Sequence, residues 1–219
     1  MRPVARAVVL AAIVVAAKAV HLLLDPLADP AETIARQIIL VGLVVLVVRW
    51  AVGRGRVGRV MGLRPPGRAR RWAWTVLPAA GVLLGWLAVA ALRGGATPMP
   101  GRDVARIVIA TGFGEEFLFR GAVYGLAARG GRRLAAGVSS AAFGWWHLVD
   151  ALHGVHRAWP GELAVAFVAG SVALMTVVAL VVFVPLRRRS GSTWGPALLH
   201  AAWNLGATLA LGHLVSAHL

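Results

Sequence analysis

The chain has no cysteine, which excludes a disulfide framework, a thiol nucleophile and any cysteine-based metal site. It holds one tyrosine, one lysine and eight acidic residues against 22 arginines. HExxH and G-x-S-x-G patterns are absent, and no serine has a convincing base. Ser139 and Ser140 precede His147 on its own helix, and Ser171 stands alone. Charge is scarce as well, at 14% of 219 residues, where soluble domains carry about 25%. The formal charge of +15 raises nucleic acid as a partner. Without a basic recognition helix or an aromatic-interleaved basic strand, that partner is set aside.

What is present is apolar sequence in long blocks: 59% of residues are hydrophobic and the mean hydropathy is +0.76. Seven blocks approach the ~20 residues needed to cross ~30 Å of hydrocarbon. They are residues 4–24, 34–52, 73–92, 104–128, 133–152, 162–186 and 194–214. The expected fold is all-α, a polytopic transmembrane helical bundle of about seven spans, with six to eight as the range. Pro78 inside the third is tolerable where neighbours satisfy the freed carbonyl.

With alternating loops, one side of the membrane collects sixteen arginines: Arg2 and Arg6, eight in 49–71, then Arg129, Arg132, Arg133 and Arg187 to Arg189. The other side has Arg36, Arg93, Arg102, Arg106 and Arg157, offset by Asp25, Asp29, Glu32, Asp103 and Glu162. The positive-inside rule then puts the N-terminus in the cytoplasm. Trp50, Trp72, Trp74, Trp159 and Trp194 mark span ends, as an interfacial belt does. The segment "GRGRVGRVMGLRPPGRARRW" reads as a solvated, orientation-setting linker, with contact to anionic lipid as its alternative. The first block resembles a signal peptide with a site at Ala17-Lys18-Ala19, but apolar sequence continues past it, so an uncleaved helix is expected. There Lys18 and His21 snorkel to the outer interface. Abundant Ala, Gly and Arg suggest a GC-rich bacterial source, and hence a multi-pass protein of the plasma membrane.

Three blocks carry side chains that hydrocarbon rejects at a cost of a few kcal/mol or more per charge. "GFGEEFLFRG" holds Glu115, Glu116 and Arg120; "FGWWH" holds His147; "HAAWN" holds His200 and Asn204. On an α-helix, Glu116 and Arg120 share a face and can pair, while Glu115 points elsewhere. Low dielectric makes a carboxylate a better proton acceptor. A carboxylate base, imidazoles and an amide donor are the parts of water-driven amide hydrolysis. Each has a plainer reading: a charge cluster that locks helix packing, or histidine and asparagine as interhelical hydrogen-bonders. Gly114, Gly121 and Gly125 form a small-residue stripe for close packing. Asp150, one turn past His147, is placed to orient it. His153 and His156 read as exposed loop residues. Counted along ideal helices, Glu115 and His147 lie ~20 Å deep but His200 only ~9 Å, so tilts or a water-filled cavity must bring them level.

In order, these segments match EExxxR (Glu115, Glu116, Arg120), FxxxH (Phe143, His147) and HxxxN (His200, Asn204). They resemble the CPBP family of intramembrane proteases, which includes CAAX prenyl endopeptidases and bacteriocin-processing or immunity proteins. The resemblance covers about 104–208. It implies a single integral membrane domain, 1–219, with variable N-terminal spans and linker over 1–103 and a catalytic core over 104–214. It implies an endopeptidase acting on a membrane-associated peptide or protein. Glu115 and His147 would activate water, His200 and Asn204 would hold the oxyanion, and Glu116 and Arg120 would support them. The cofactor is either none or a divalent metal such as zinc, for which Glu115, His147 and His200 would be the ligands. The alternatives are a non-catalytic immunity or scaffold member of the family, or a small transporter with a buried proton relay. Inverted repeats and broken helices, which mark transporters, are not evident.

Overall fold

The computed structural model describes residues 3–24, 30–158 and 162–212. Trp159 and the side chains of His21, His153 and His156 lie outside what it describes. Among the described residues every element is helical. The long helices are α1 (Pro3–Leu24) and α2 (Pro30–Val52); after the short α3 (Val57–Val60) comes α4 (Ala69–Leu92). Next, α5 (Gly101–Ala105) runs into π-helical segments Arg106–Glu115 and Phe117–Val123, then α6 (Tyr124–Ala127). α7 (Arg132–Ala158) and α8 (Glu162–Val178) follow. A third π segment, Ala179–Phe183, leads into α9 (Val184–Ser190), and α10 (Trp194–Leu211) closes the order. Among the described residues the expected blocks fall on helix, except that the last one ends at the turn of Gly212. Among the described residues, three helical stretches, Ala31–Val52, Ala69–Leu92 and Glu162–Ser190, are long and apolar enough to cross a membrane.

Local sequence accounts for several helix limits. Pro30 opens α2 with Glu32 in the first turn, and Arg49 sits in its last. This order matches proline's preset φ and the helix dipole. α4 runs through Pro78 without a break. The π winding of 106–123 was not expected, and it corrects the α-helical angles assumed for Glu115, Glu116 and Arg120. A π turn closes i→i+5 hydrogen bonds, so each residue advances less than in an α-helix.

The chain forms two compact units. One comprises Ala28–Leu118 and Leu186–Leu219, and its helices meet where glycine removes a side chain. At Gly206 on α10 a Cβ would lie 2.7 Å from Trp86 Cβ on α4. Trp86 and Trp203 pack edge to face there, with centroids 5.4 Å apart. At Gly112 a Cβ would lie 2.6 Å from the Ala201 Cβ of α10. The start of α10 is strapped to the chain after α3. The Ser192 hydroxyl (3.1 Å) and the Thr193 amide (2.9 Å) donate to the Gly62 carbonyl, and the Trp194 indole donates to Leu63 at 3.0 Å. Gly62 has φ +65°, and the Arg187 guanidinium fills the space its Cβ would take. Only glycine meets both demands.

The other unit comprises Met1–Leu27 and Phe119–Pro185. α1 packs on α6 and α7 and buries Ala7, Leu10, Ala11 and Val14, a stripe at helical spacing. Lys18 pairs with Asp150 of α7 and lies over the Trp146 ring at 4.2 Å. That corrects one expectation: Asp150 serves Lys18, tying α7 to α1, and not His147. α8 approaches α7 at Gly144, where the Thr176 hydroxyl occupies the would-be Cβ position.

The close approach at Gly112 is testable. Gly112→Val forces a side chain onto the α10 backbone, with Ala201 Cα only 2.8 Å from the new Cβ. The expected loss is about 1–3 kcal/mol, read as a lower unfolding temperature in detergent. Gly81→Ala and Gly85→Ala on α4, with nothing within 4 Å, should leave that temperature unchanged or raised.

Candidate active site

In the first unit, Glu115 ends the first π segment and Glu116 follows it. They are 4% and 0% exposed. The contact of Gly112 with Ala201 positions them, because His200 is the residue before Ala201. It brings the His200 Nδ1 to 3.1 Å from the Glu116 Oε1. A carboxylate accepts and does not donate, so His200 donates through Nδ1 and presents Nε2 to any other partner. Asn204, half-buried, lies one turn further along α10, on the side of His200. Its main-chain carbonyl accepts the Thr208 hydroxyl at 2.8 Å.

The contact puts Glu116 and His200 level with one another. The count along ideal helices took α10 to begin at a membrane surface. In fact Thr193, Gly195, Pro196 and Ala197 are all buried, so α10 starts inside its unit. The straps to Met61, Gly62 and Leu63 satisfy the polar groups that this start buries.

In the second unit, Arg120 has no exposure at all. Its guanidinium carbon lies 4.0 Å from the Phe143 ring centroid and 4.7 Å from that of Phe183. The Phe143 carbonyl accepts from His147 Nδ1 at 2.9 Å. This bond, not Asp150, sets the tautomer of His147 and leaves its Nε2 unprotonated in the neutral ring. Phe143 therefore serves both neighbours, Arg120 through its ring and His147 through its carbonyl. Phe119 packs edge to face on Phe143 at 5.5 Å, and its own carbonyl accepts the Ser139 hydroxyl at 2.9 Å.

Sequence reasoning missed Gly112, Gln37 and Phe183. Gln37 was legible in principle, as a lone amide on the apolar α2. Phe183 looked like one more apolar residue, and its role depends on tertiary packing. Among the described residues no three His, Cys, Asp or Glu side chains gather as a metal centre requires.

Residues 97–206 match the family model described as Type II CAAX prenyl endopeptidase Rce1-like. The match takes in half of the chain and all three motifs, and the chain belongs to this family. With its long apolar helices, it is a membrane protein of the CAAX-protease kind. No curated protein matches the chain, and no solved structure does.

The ring contacts of Arg120 make a prediction about charge against shape. Arg120→Lys keeps the charge but loses the flat group lying over the two rings. It should cost about 2 kcal/mol or more, nearly as much as Arg120→Ala, in detergent unfolding measurements. Full stability in the lysine variant would show that charge alone suffices.

Proposed function

We propose that the protein is an intramembrane endopeptidase of CAAX type. It hydrolyses a peptide bond near the C-terminus of a membrane-associated, prenylated peptide or protein. Its setting is the bacterial plasma membrane, crossed about seven times with the N-terminus in the cytoplasm. The observation that carries the reading is the matching treatment of the two motif histidines. Each is held through Nδ1, His200 by Glu116 and His147 by the Phe143 carbonyl, so each ring has a fixed orientation.

In this reading Glu115 takes a proton from water, with His147 Nε2 accepting the second water hydrogen bond and orienting the oxygen. The oxygen bonds to the scissile carbonyl carbon, and the carbonyl oxygen becomes an oxyanion. His200 Nε2 and the Asn204 carboxamide donate to that oxyanion. Donation from Nε2 requires His200 to carry both ring protons, the form in which it is ion-paired with Glu116. When the carbon–nitrogen bond breaks, Glu115 passes its proton to the leaving amine. Arg120 keeps Phe143, and so His147, in place. No step is routed through a metal.

Liposome-reconstituted protein and a fluorogenic peptide ending in a farnesylated CAAX sequence test this. Wild type should cleave it, also in strong chelator. Glu115→Ala and His147→Ala should each lose about 10²–10⁴-fold in rate, and Asn204→Ala about 10²–10³-fold in kcat. An uncleaved peptide, or cleavage persisting in both alanine variants, overturns the reading.

A further inference from the structure

Gln37 stands in the apolar run of α2, followed by Ile38, Ile39 and Leu40. Its neighbour Arg36 is engaged by Glu32 one turn back. Gln37 instead turns toward the first π segment, against which α2 packs. Its side chain lies across Gly114: a Cβ there would stand 2.5 Å from Gln37 Cγ and 2.6 Å from Nε2. Glycine at 114 is therefore what admits the carboxamide. The next residue is Glu115, itself 4% exposed.

Gln37 Nε2 is buried and donates no hydrogen bond. A buried amide donor without an acceptor is costly, and native proteins keep such groups where a further partner completes them. The Glu115 carboxylate is one residue from the contact, yet the carboxamide is not used on it. An acceptor that comes and goes at a peptidase site is the main-chain carbonyl of its substrate.

We propose that Gln37 is a substrate-binding residue, its Nε2–H donating to a main-chain carbonyl beside the scissile bond and so presenting that bond to Glu115. The inference rests on the peptidase reading above. A bond made equally in ground and transition states affects KM more than kcat. Gln37→Met keeps the length and removes the donor; Gly114→Ala keeps the donor and displaces it.

The test uses the reconstituted full chain and the same farnesylated peptide. Both variants should raise KM about 3- to 10-fold, the range of one neutral hydrogen bond, with kcat within about two-fold of wild type. Gln37→Met should unfold at the wild-type temperature or above, since it removes a buried donor lacking an acceptor. An unchanged KM in Gln37→Met overturns the proposal. So does a KM rise accompanied by parallel losses of kcat and thermal stability, which marks a packing residue. If Glu115→Ala is inactive while Gln37→Met has normal KM, only the role of Gln37 falls. If wild type leaves the peptide intact, or Glu115→Ala cleaves normally, the peptidase reading fails and this inference fails with it.

Discussion

A guanidinium with no exposure to solvent constrains everything packed around it. Removing such a charge from water costs several kcal/mol even after relaxation. At Arg120 aromatic faces offset part of that cost, through the rings of Phe143 and Phe183. Those rings must hold their positions, and Phe143 then carries its carbonyl to His147. The FxxxH motif acquires a physical meaning from this. The phenylalanine needs a ring for the arginine, and its carbonyl falls one helical turn from the histidine.

The second motif histidine is placed by different means. At His200 a missing side chain does the placing. Gly112 lets the π segment approach the α10 backbone at Ala201, and the adjoining residues Glu116 and His200 fall within a hydrogen bond. Close glycine contacts suit helices in lipid, where packing rather than water exclusion drives association. The π winding of 106–123 belongs with this, as such turns concentrate at functional sites. The polar straps from Met61, Gly62 and Leu63 keep the start of α10 buried, and with it the height of His200. Part of the basic linker thus has a structural duty beyond setting orientation.

The helical class was legible because apolar blocks of spanning length have few alternatives. The motif residues were legible because charge in such blocks is rare. Glu116 and His200 were noted independently, yet their contact depends on Gly112, which no periodicity singled out. Asp150 was misassigned because spacing along one helix is blind to Lys18, on another. Local sequence also gave no sign that 106–123 would leave α-helical geometry, which undid the angles computed for it. Gln37 was overlooked because a single amide near a span end looks incidental until its neighbour proves to be Gly114.

Cleavage as proposed needs Glu115 and His147 to act on one water molecule. The absence of cysteine from the chain allows a direct measurement. Glu115→Cys and His147→Cys are combined in one protein, treated with a short bifunctional thiol reagent, and weighed intact by mass spectrometry. The pair Glu116→Cys and His200→Cys, whose native side chains meet at 3.1 Å, is the control. Sharing one water predicts a single bridging reagent per chain in both proteins. A bridged control beside a Glu115/His147 pair that takes up two separate reagents would contradict it.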